Sequence, residues 1–351
     1  MSDTLHPTNQ VERCERVVIV GNGGDCHVGA HFMEAADLLG WESQLVDIEK
    51  IRASKWRVRV YWHLLGRRDP RKKALNGMLT DVCDRFQPDW VLVTGRIPIA
   101  ATTIRRVQRR GIRIVNFMTD DPWNPIYRAR WLMDAMKQYD AIFTPRRSNI
   151  RDFETLGARQ VHYLPFAYSS LKHEAKGPEG REEDLGDILF VGGADSDRIS
   201  YARAFRGTGM RLVLFGGHWD RYPDLMASWQ GMGDLNTVRE ACSRCKVTLV
   251  LPRHANRDGH AMRSYETAAS RGCILAEDTD DHRAIYGTGT GGGMFFSGLA
   301  DMVEKARLLV GDRNARMFQR NAAYRRIVEE GRNTYCDRLK SMGASVSRSG
   351  S

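Results

Sequence analysis

Two acids separated by seven residues stand in "DGHAMRSYETAASRG", which runs from residue 258 to residue 272. They are Asp258 and Glu266, and an arginine, Arg263, lies between them. The segment follows an apolar run and leads into small residues, so we expect a loop and then the first turns of a helix. Free N–H groups at a helix N-terminus attract anions such as a diphosphate, and Arg263 adds a fixed cation there. Glu266 could accept hydrogen bonds from a ribose diol. The alternative is that Glu266 binds no ligand and that the helix dipole favours an acid in the first turns of the helix.

Two glycine-rich turns also follow apolar runs, and both are candidates for ligand contact. Glycines after a strand let a ligand approach the backbone closely. The segments are "VGGADSDR" (191–198) and "GNGGDCH" (21–27), and their candidate residues are Gly192, Gly193, Arg198, Gly23, Gly24 and His27. Neither has the G-x-G-x-x-G spacing of a dinucleotide site. A plain strand-to-helix turn is the alternative for both.

A pair of acids ends another apolar run, in "TDDPWNP" (119–125). Asp120 or Asp121 could orient an acceptor hydroxyl or take its proton, and the sequence does not distinguish the two. Helix capping and turn formation are the alternative, since Asp before Pro is common in turns. Two adjacent acids with no further ligand make a poor metal site.

The elements that must position these residues form one repeated pattern of apolar run, turn and helix. The runs in the first half are 16–20, 43–48, 89–95, 112–122, 140–145 and 160–168, and those in the second half are 187–193, 211–217, 246–252, 273–278 and 293–297. Near-continuous apolar strands that alternate with helices predict parallel sheets covered on both faces. We therefore expect an α/β protein with two doubly wound, Rossmann-like domains whose carboxyl sheet edges face one cleft.

The polar, charged segment 169–186 is the predicted linker between these domains. The expected division is an N-terminal, acceptor-side domain over 1–168 and a C-terminal domain over 187–311. Residues 312–345 are expected to form helices that pack back across both domains.

The same segments resemble a known family. "DGHAMRSYETAASRG" resembles the donor-site motif of group 1 glycosyltransferases of the GT-B fold, although Asp258 stands where that motif usually has Glu. Arg263 close ahead of Tyr265 and Glu266 is similar to the spore-maturation-protein-like branch. "DILFVGGADSDR" resembles the turn that opens the donor domain, "FMTDDPWNP" an acceptor-domain segment, and "RNTYCDRL" the terminal signature of that branch.

The resemblance implies a retaining, metal-independent enzyme that moves a sugar from a nucleotide-sugar to an acceptor hydroxyl. It places the ribose on Glu266, and the transferred sugar near Asp258, Gly259 and His260. With no metal and no cofactor expected, Arg263, Arg198 and the helix N-terminus are the available charges for the diphosphate. Two alternatives stay open: a two-lobed binding protein without catalysis, and a nucleotide-sugar epimerase of the same fold.

The net charge of +10 is concentrated in one block. Residues 50–73 hold ten basic residues against one acid, which gives +9. An anionic membrane surface, an acidic glycan and nucleic acid are candidate partners, and a solvated loop or helix face is the alternative. Nucleic acid is the weakest of the three candidates, because the block lies in no recognisable nucleic-acid module.

The remaining composition predicts an intracellular globular protein. No apolar stretch approaches the roughly eighteen residues of a membrane span, and the N-terminal residues lack a signal-peptide pattern. Seven cysteines, an odd number, suit a reducing cytoplasm better than a disulfide framework. We therefore expect a cytoplasmic enzyme, peripheral at the inner membrane face if the basic block binds lipid. Cys242-x-x-Cys245 lacks the second pair of a zinc site.

Overall fold

The computed structural model describes residues 15–51, 53–64, 66–176, 183–289 and 291–348. Arg52 of the basic block, residues 1–14 of the first predicted domain and residues 177–182 of the predicted linker lie outside these ranges. Within them, every helix is too short or too polar to cross a bilayer.

The first half of the chain folds around a parallel six-stranded sheet. Its strands are β1 (Arg16–Gly21), β2 (Glu42–Asp47), β3 (Trp90–Thr94), β4 (Arg113–Phe117), β5 (Ala141–Thr144) and β6 (Val161–Tyr163). Its helices are α1 (Val28–Leu38), α2 (Lys55–Leu64), α3 (Lys72–Phe86), α4 (Ala101–Gln108), α5 (Arg130–Met136), α6 (Arg147–Leu156) and α7 (Ser170–His173), with a 3₁₀ turn at Ile48–Lys50. The strand order is β2-β1-β3-β4-β5-β6.

The second half repeats this architecture with five parallel strands. They are β7 (Gly186–Val191), β8 (Leu212–Phe215), β9 (Cys245–Val250), β10 (Ile274–Glu277) and β11 (Met294–Phe296), in the order β11-β10-β9-β7-β8. The helices are α8 (Ser196–Ala204), α9 (Leu235–Arg244), α10 (Met262–Ala269), α11 (Asp280–Tyr286), α12 (Leu299–Gly311), α13 (Arg313–Tyr324) and α14 (Tyr335–Arg348). Short 3₁₀ turns lie at Trp219–Arg221, Met226–Ser228 and His254–Asn256, and a π-helical turn at Arg325–Glu329.

These two sheets confirm the predicted α/β fold class. The all-buried strands, such as β3 with the sequence WVLVT, are covered on both faces as parallel strands require. The last apolar run of the first half, 160–168, forms a shorter strand than expected. Strand β6 ends at Tyr163, and the following residues to Tyr168 continue as largely buried irregular chain. Strand order reverses between β1 and β3 and between β7 and β9, and ligands bind beyond the carboxyl ends of strands at such points.

One apolar core continues from the first sheet to the second. It joins Phe32 of α1 and Phe166 to Tyr265 of α10 and Tyr335 of α14. The backbone of Tyr168 pairs with residues 333–335, which ties the start of α14 to the first half of the chain. The two halves therefore share a packed junction, and the residues at that junction are held in place from both sides.

Candidate active site

A cleft of about 650 Å³ lies between the two halves at their carboxyl sheet edges. We call it the central cleft. The second half contributes the turns after β7 and β8, the start of α9 and the side chain of Arg263; the first half and α7 contribute Asp25, Cys26 and Lys172. The main residues of the second half in the lining are Gly192, Gly193, Gly216, Gly217, Met232, Gly233, Asp234 and Asn236.

The two glycine turns of the central cleft are bound to each other and to two buried or half-buried tryptophans. The N–H of Ala194 donates to the carbonyl of Gly217 over 2.9 Å. The indole N–H of Trp219 donates to the Gly192 carbonyl, and that of Trp229 to the Gly216 carbonyl, each over 2.8 Å. These bonds fix the backbone that a ligand would contact, so the wall is pre-formed.

Arg198, predicted as a diphosphate contact, lies directly behind the first glycine turn. Its Nη1 donates to the carbonyl of Gly193 over 3.4 Å and lies 3.5 Å from Asp195 Oδ2. Burial lowers the pKa of Arg198, and the charge of Asp195 opposes that shift. Its charge therefore acts on the cleft from behind Gly192 and Gly193.

The predicted ribose ligand, Glu266, is buried at the junction of the two halves. Its carboxylate pairs with Arg263, one helical turn earlier, and lies 3.5 Å from His173 Nε2. His31 of α1 stacks on Tyr335 of α14 with ring centroids 4.9 Å apart and completes what we call the junction cluster: His31, His173, Glu266 and Tyr335. Burial opposes ionisation of Glu266, but its neighbours, above all the charge of Arg263, outweigh burial and lower its pKa.

The junction cluster has the composition of a metal site, but the hydrogen bond that His173 accepts does not suit a metal at its other ring nitrogen. Among the residues the structure describes, His31, His173 and Glu266 form the one group whose ligand atoms lie close enough together, within 4.8 Å. The backbone N–H of Ser169 donates to Nδ1 of His173 over 2.9 Å, so a neutral ring carries its proton on Nε2. A metal would need the lone pair of that Nε2, with the proton on Nδ1 instead. The Nε2 of that ring instead lies 3.5 Å from the Glu266 carboxylate, without a hydrogen bond.

Asp258, predicted to act at the sugar, lies in a contact between the two halves. Its carboxylate forms an ion pair with Arg146 at the start of α6, and the two side chains are 7% and 2% exposed. Burial raises the pKa of Asp258, and the Arg146 charge opposes that shift. The adjacent His260 accepts at Nε2 from the Phe166 N–H over 3.3 Å, and its Nδ1 lies 2.9 Å from Asp281.

Gly259 packs closely against Asp281 of the same half, because a Cβ there would collide with the Asp281 side chain. Asp258 and His260 bridge the halves, and all three residues lie outside the lining of the central cleft. Their predicted contact with the transferred sugar stays a prediction.

The structure distinguishes the two acids that the sequence could not separate. Asp121 is 1% exposed, and its oxygens accept from Arg257 Nε (2.6 Å), Arg257 Nη2 (3.0 Å) and Asn149 Nδ2 (3.0 Å). The Asp120 side chain is 25% exposed and pairs with Arg96 over 3.0 Å. Asp121 is therefore fully engaged in holding the halves together, whereas Asp120 remains accessible at the carboxyl end of β4.

The predicted acceptor-side loop occupies the carboxyl end of β1. Gly23 N–H donates to Asp47 Oδ1 over 3.2 Å, and Gly24 N–H donates to Asn22 Oδ1 over 2.8 Å. His27 is exposed and precedes α1 without capping it through its side chain. Asp25 and Cys26, between these residues, are the ones that line the central cleft.

Several cleft residues were missed from the sequence. Lys172 lies in the segment that reads as a linker, and it contacts Glu34 Oε2 at 3.4 Å. The pair Gly216 and Gly217 repeats the position of Gly192 and Gly193 after the neighbouring strand, and that repeat was the available signal.

Two parallel sheets facing one cleft, with glycine turns and cations on the second sheet, define the GT-B fold. Comparison with known sequences agrees: residues 198–343 match a family described as glycosyl transferase-like. The match covers most of the second half, including Arg198, Arg263 and Glu266, and is similar to what the sequence motifs of that half predicted. No curated protein sequence matches the chain.

Solved structures confirm the fold at low sequence identity. Sucrose-phosphate synthase from Thermosynechococcus elongatus has a TM-score of 0.63 at 10% identity, over 96% of this chain and 100% of that one. A putative UDP-N-acetylglucosamine 2-epimerase from Listeria monocytogenes has a TM-score of 0.57 at 11% identity, over 97% and 98%. A variant of S. aureus TarM, solved with fondaparinux, α-GlcNAc-glycerol and UDP, has a TM-score of 0.57 at 10% identity over 78% of this chain. This chain spans 59% of that TarM chain.

Proposed function

We propose that the protein transfers a sugar from a nucleotide-sugar to an acceptor hydroxyl. The observation that carries this proposal is the central cleft, whose second-half wall combines two fixed glycine turns, the start of α9 and Arg263. Its volume of about 650 Å³ suits a ligand of nucleotide-sugar size. The family match begins at residue 198, so it includes the second glycine turn, α9 and Arg263 but not Gly192 and Gly193.

The donor diphosphate would lie against Gly192, Gly193 and Arg263, with Lys172 as a second cation. Because Arg263 now occupies one oxygen of Glu266, a diphosphate that draws Arg263 into the cleft would free that oxygen for the ribose diol. These cations provide the charge that a departing diphosphate requires, which supports a reaction without a metal. The tautomer of His173 supports the same proposal.

On the acceptor side, we propose that Asp120 rather than Asp121 meets the acceptor hydroxyl, since its carboxylate is the accessible one. Membership of the spore-maturation-protein-like branch, and the retention of anomeric configuration that it implies, belong to this proposal. Thr334, Tyr335 and Arg338 of the terminal signature support it, because they join α14 to the first half; Arg338 Nε donates to the Pro165 carbonyl over 2.9 Å. The unpaired cysteines of the described residues suit a cytoplasmic enzyme.

The first test measures nucleotide binding, and the turnover assay follows from the nucleotide that binds. UDP, GDP and ADP are compared by thermal shift on the wild type, on Arg263→Ala, and on Arg203→Ala as a control whose ion pair with Asp224 lies outside the cleft lining. One nucleoside diphosphate should raise the melting temperature of the wild type and the control, because a ligand of the folded state stabilises it. The shift should be lost in Arg263→Ala. No shift with any nucleotide would contradict the proposal.

An epimerase is the second candidate, because the chain shares its fold along nearly its whole length with the putative epimerase from Listeria monocytogenes. The two functions are separated by incubating the matching nucleotide-sugar without any acceptor. Interconversion of the sugar without release of nucleoside diphosphate would identify an epimerase. Binding of the nucleotide-sugar with no turnover, whether or not an acceptor is present, would identify a two-lobed binding protein. For a transferase, NMR of the product would give the anomeric configuration.

A further inference from the structure

Helix α2 presents three apolar side chains to solvent in one row. Trp56, Val60 and Leu64 are 67%, 37% and 76% exposed. Because they are four residues apart, they lie on the same face of the helix. Scattered exposed apolar residues are normal, but an aligned row headed by a tryptophan indicates a contact surface.

A basic pocket of about 670 Å³ lies between α2, α3 and α4, and Tyr61, next to Val60 in α2, is part of its lining. Its cationic lining residues are Arg68, Lys72, Lys73 and Arg106. The acid in the lining, Asp69, is paired with Arg71 over 2.9 Å and so offers the pocket little uncompensated negative charge. Burial and the charge of Arg68 lower the pKa of Lys72, which an anion in the pocket would reverse.

We propose that the row on α2 and the adjacent pocket bind the surface of an anionic lipid bilayer. A lipid phosphate occupies the pocket, and Trp56, Val60 and Leu64 enter the boundary between headgroups and acyl chains. The combination selects this partner. A free anion would use the pocket alone, and nucleic acid would use the cations but gain nothing from the apolar row.

The location of this surface links it to the central cleft. Helix α2 follows β2, and the start of α4 follows β3, so both lie at the carboxyl edge of the first sheet. Asp25 and Cys26 of the cleft follow β1 at the same edge. Bilayer binding therefore brings the acceptor side of the cleft towards the membrane. The consequence that the acceptor is lipid-borne rests on the proposed function; bilayer binding itself does not.

The test is sedimentation with vesicles, without any donor present. Vesicles of phosphatidylcholine are compared with vesicles that also contain phosphatidylglycerol. The wild type should bind the anionic vesicles and release them at high salt. Lys73→Gln with Arg106→Gln should weaken binding about twenty-fivefold, since each cation near such a surface contributes about fivefold. Trp56→Ser with Leu64→Ser should weaken it by at least as much.

Matched controls lie on the second half of the chain. Arg307→Gln with Arg313→Gln removes two exposed cations, and Leu308→Ser with Met226→Ser removes two exposed apolar side chains. Both controls should bind like the wild type. Equal binding by wild type and patch variants, or no binding to anionic vesicles at low salt, would overturn the proposal. Tighter binding to RNA than to anionic vesicles at the same salt concentration would also overturn it. None of these outcomes depends on sugar transfer.

Discussion

The guanidinium of Arg146 and the carboxylate of Asp258 form a buried ion pair that joins the two halves of the protein. Arg146 directly precedes α6 in the first half, and Asp258 precedes α10 in the second. An acid that the sequence motif places at the transferred sugar thus has a structural partner. Whether its main contribution is to stability or to catalysis can be measured.

Breaking this pair should destabilise the protein. Asp258→Asn leaves the Arg146 charge buried without a counter-charge, and such changes cost about 3–5 kcal/mol in the free energy of unfolding. Arg146→Met should cost a similar amount, and the double variant should cost less than the sum. Denaturant titration measures all three. Asp84→Asn, in an exposed pair with Arg110, should change stability by less than about 1 kcal/mol.

One result for Asp258→Asn would instead support a catalytic role for Asp258. If Asp258→Asn unfolds at the wild-type denaturant concentration but has lost turnover, its carboxylate acts on the substrate rather than on the junction.

Glu266→Gln should weaken donor binding. The substitution keeps the volume but removes the charge that would accept from the ribose diol and that holds Arg263, so nucleoside diphosphate affinity should fall about tenfold or more. Titration calorimetry gives the affinity directly. Glu304→Gln, an exposed acid of α12, is the matched control. Wild-type affinity in Glu266→Gln would show that the ribose lies elsewhere.

His31 should make the protein less stable in mild acid. Burial lowers its pKa from 6.5 to about 3, so between these values the unfolded chain binds a proton that the folded chain does not. The contribution of the neutral His31 to the free energy of unfolding is complete above pH 6.5 and is lost as the pH falls towards 3.

His31→Phe keeps an aromatic ring stacked on Tyr335 but removes this pH-dependent contribution to the free energy of unfolding. The slope of unfolding free energy against pH, measured between pH 6 and 4 by denaturant titration, should drop by about 1.4 kcal/mol per pH unit. An unchanged slope in His31→Phe would mean that His31 is protonated in the folded state.

Gly216→Ala should deform the wall of the central cleft. Gly216 has φ +122°, and a Cβ there would collide with the Gly192 carbonyl. Alanine in such a backbone conformation costs of order 1–3 kcal/mol, and relief of the collision would move the turn that we propose as the donor contact. We expect a lower melting temperature and lost nucleotide binding. Gly217→Ala has room for its Cβ, 3.5 Å from Met232 Sδ, and should melt like the wild type.

Local sequence determined the architecture of this protein. Apolar runs such as WVLVT in β3 can be satisfied only by burial on both faces, so parallel sheets followed from residue order alone. The glycine pair 192–193 predicted one wall of the cleft, because the conformation of a turn depends on the residues within it. Arg263 lies in the cleft as its position at the start of α10 predicted.

Only the tertiary structure decided which charged residues face a ligand and which face each other. Asp120 and Asp121 are neighbours in sequence, yet Arg257, from the other half of the chain, engages one and leaves the other accessible. His173 and Lys172 lie in a segment whose composition reads as a linker, but the junction buries one and aims the other at the cleft. A carboxylate has the same chemistry in a salt bridge and in an active site. Its role depends on partners brought close by folding, and no local pattern records them.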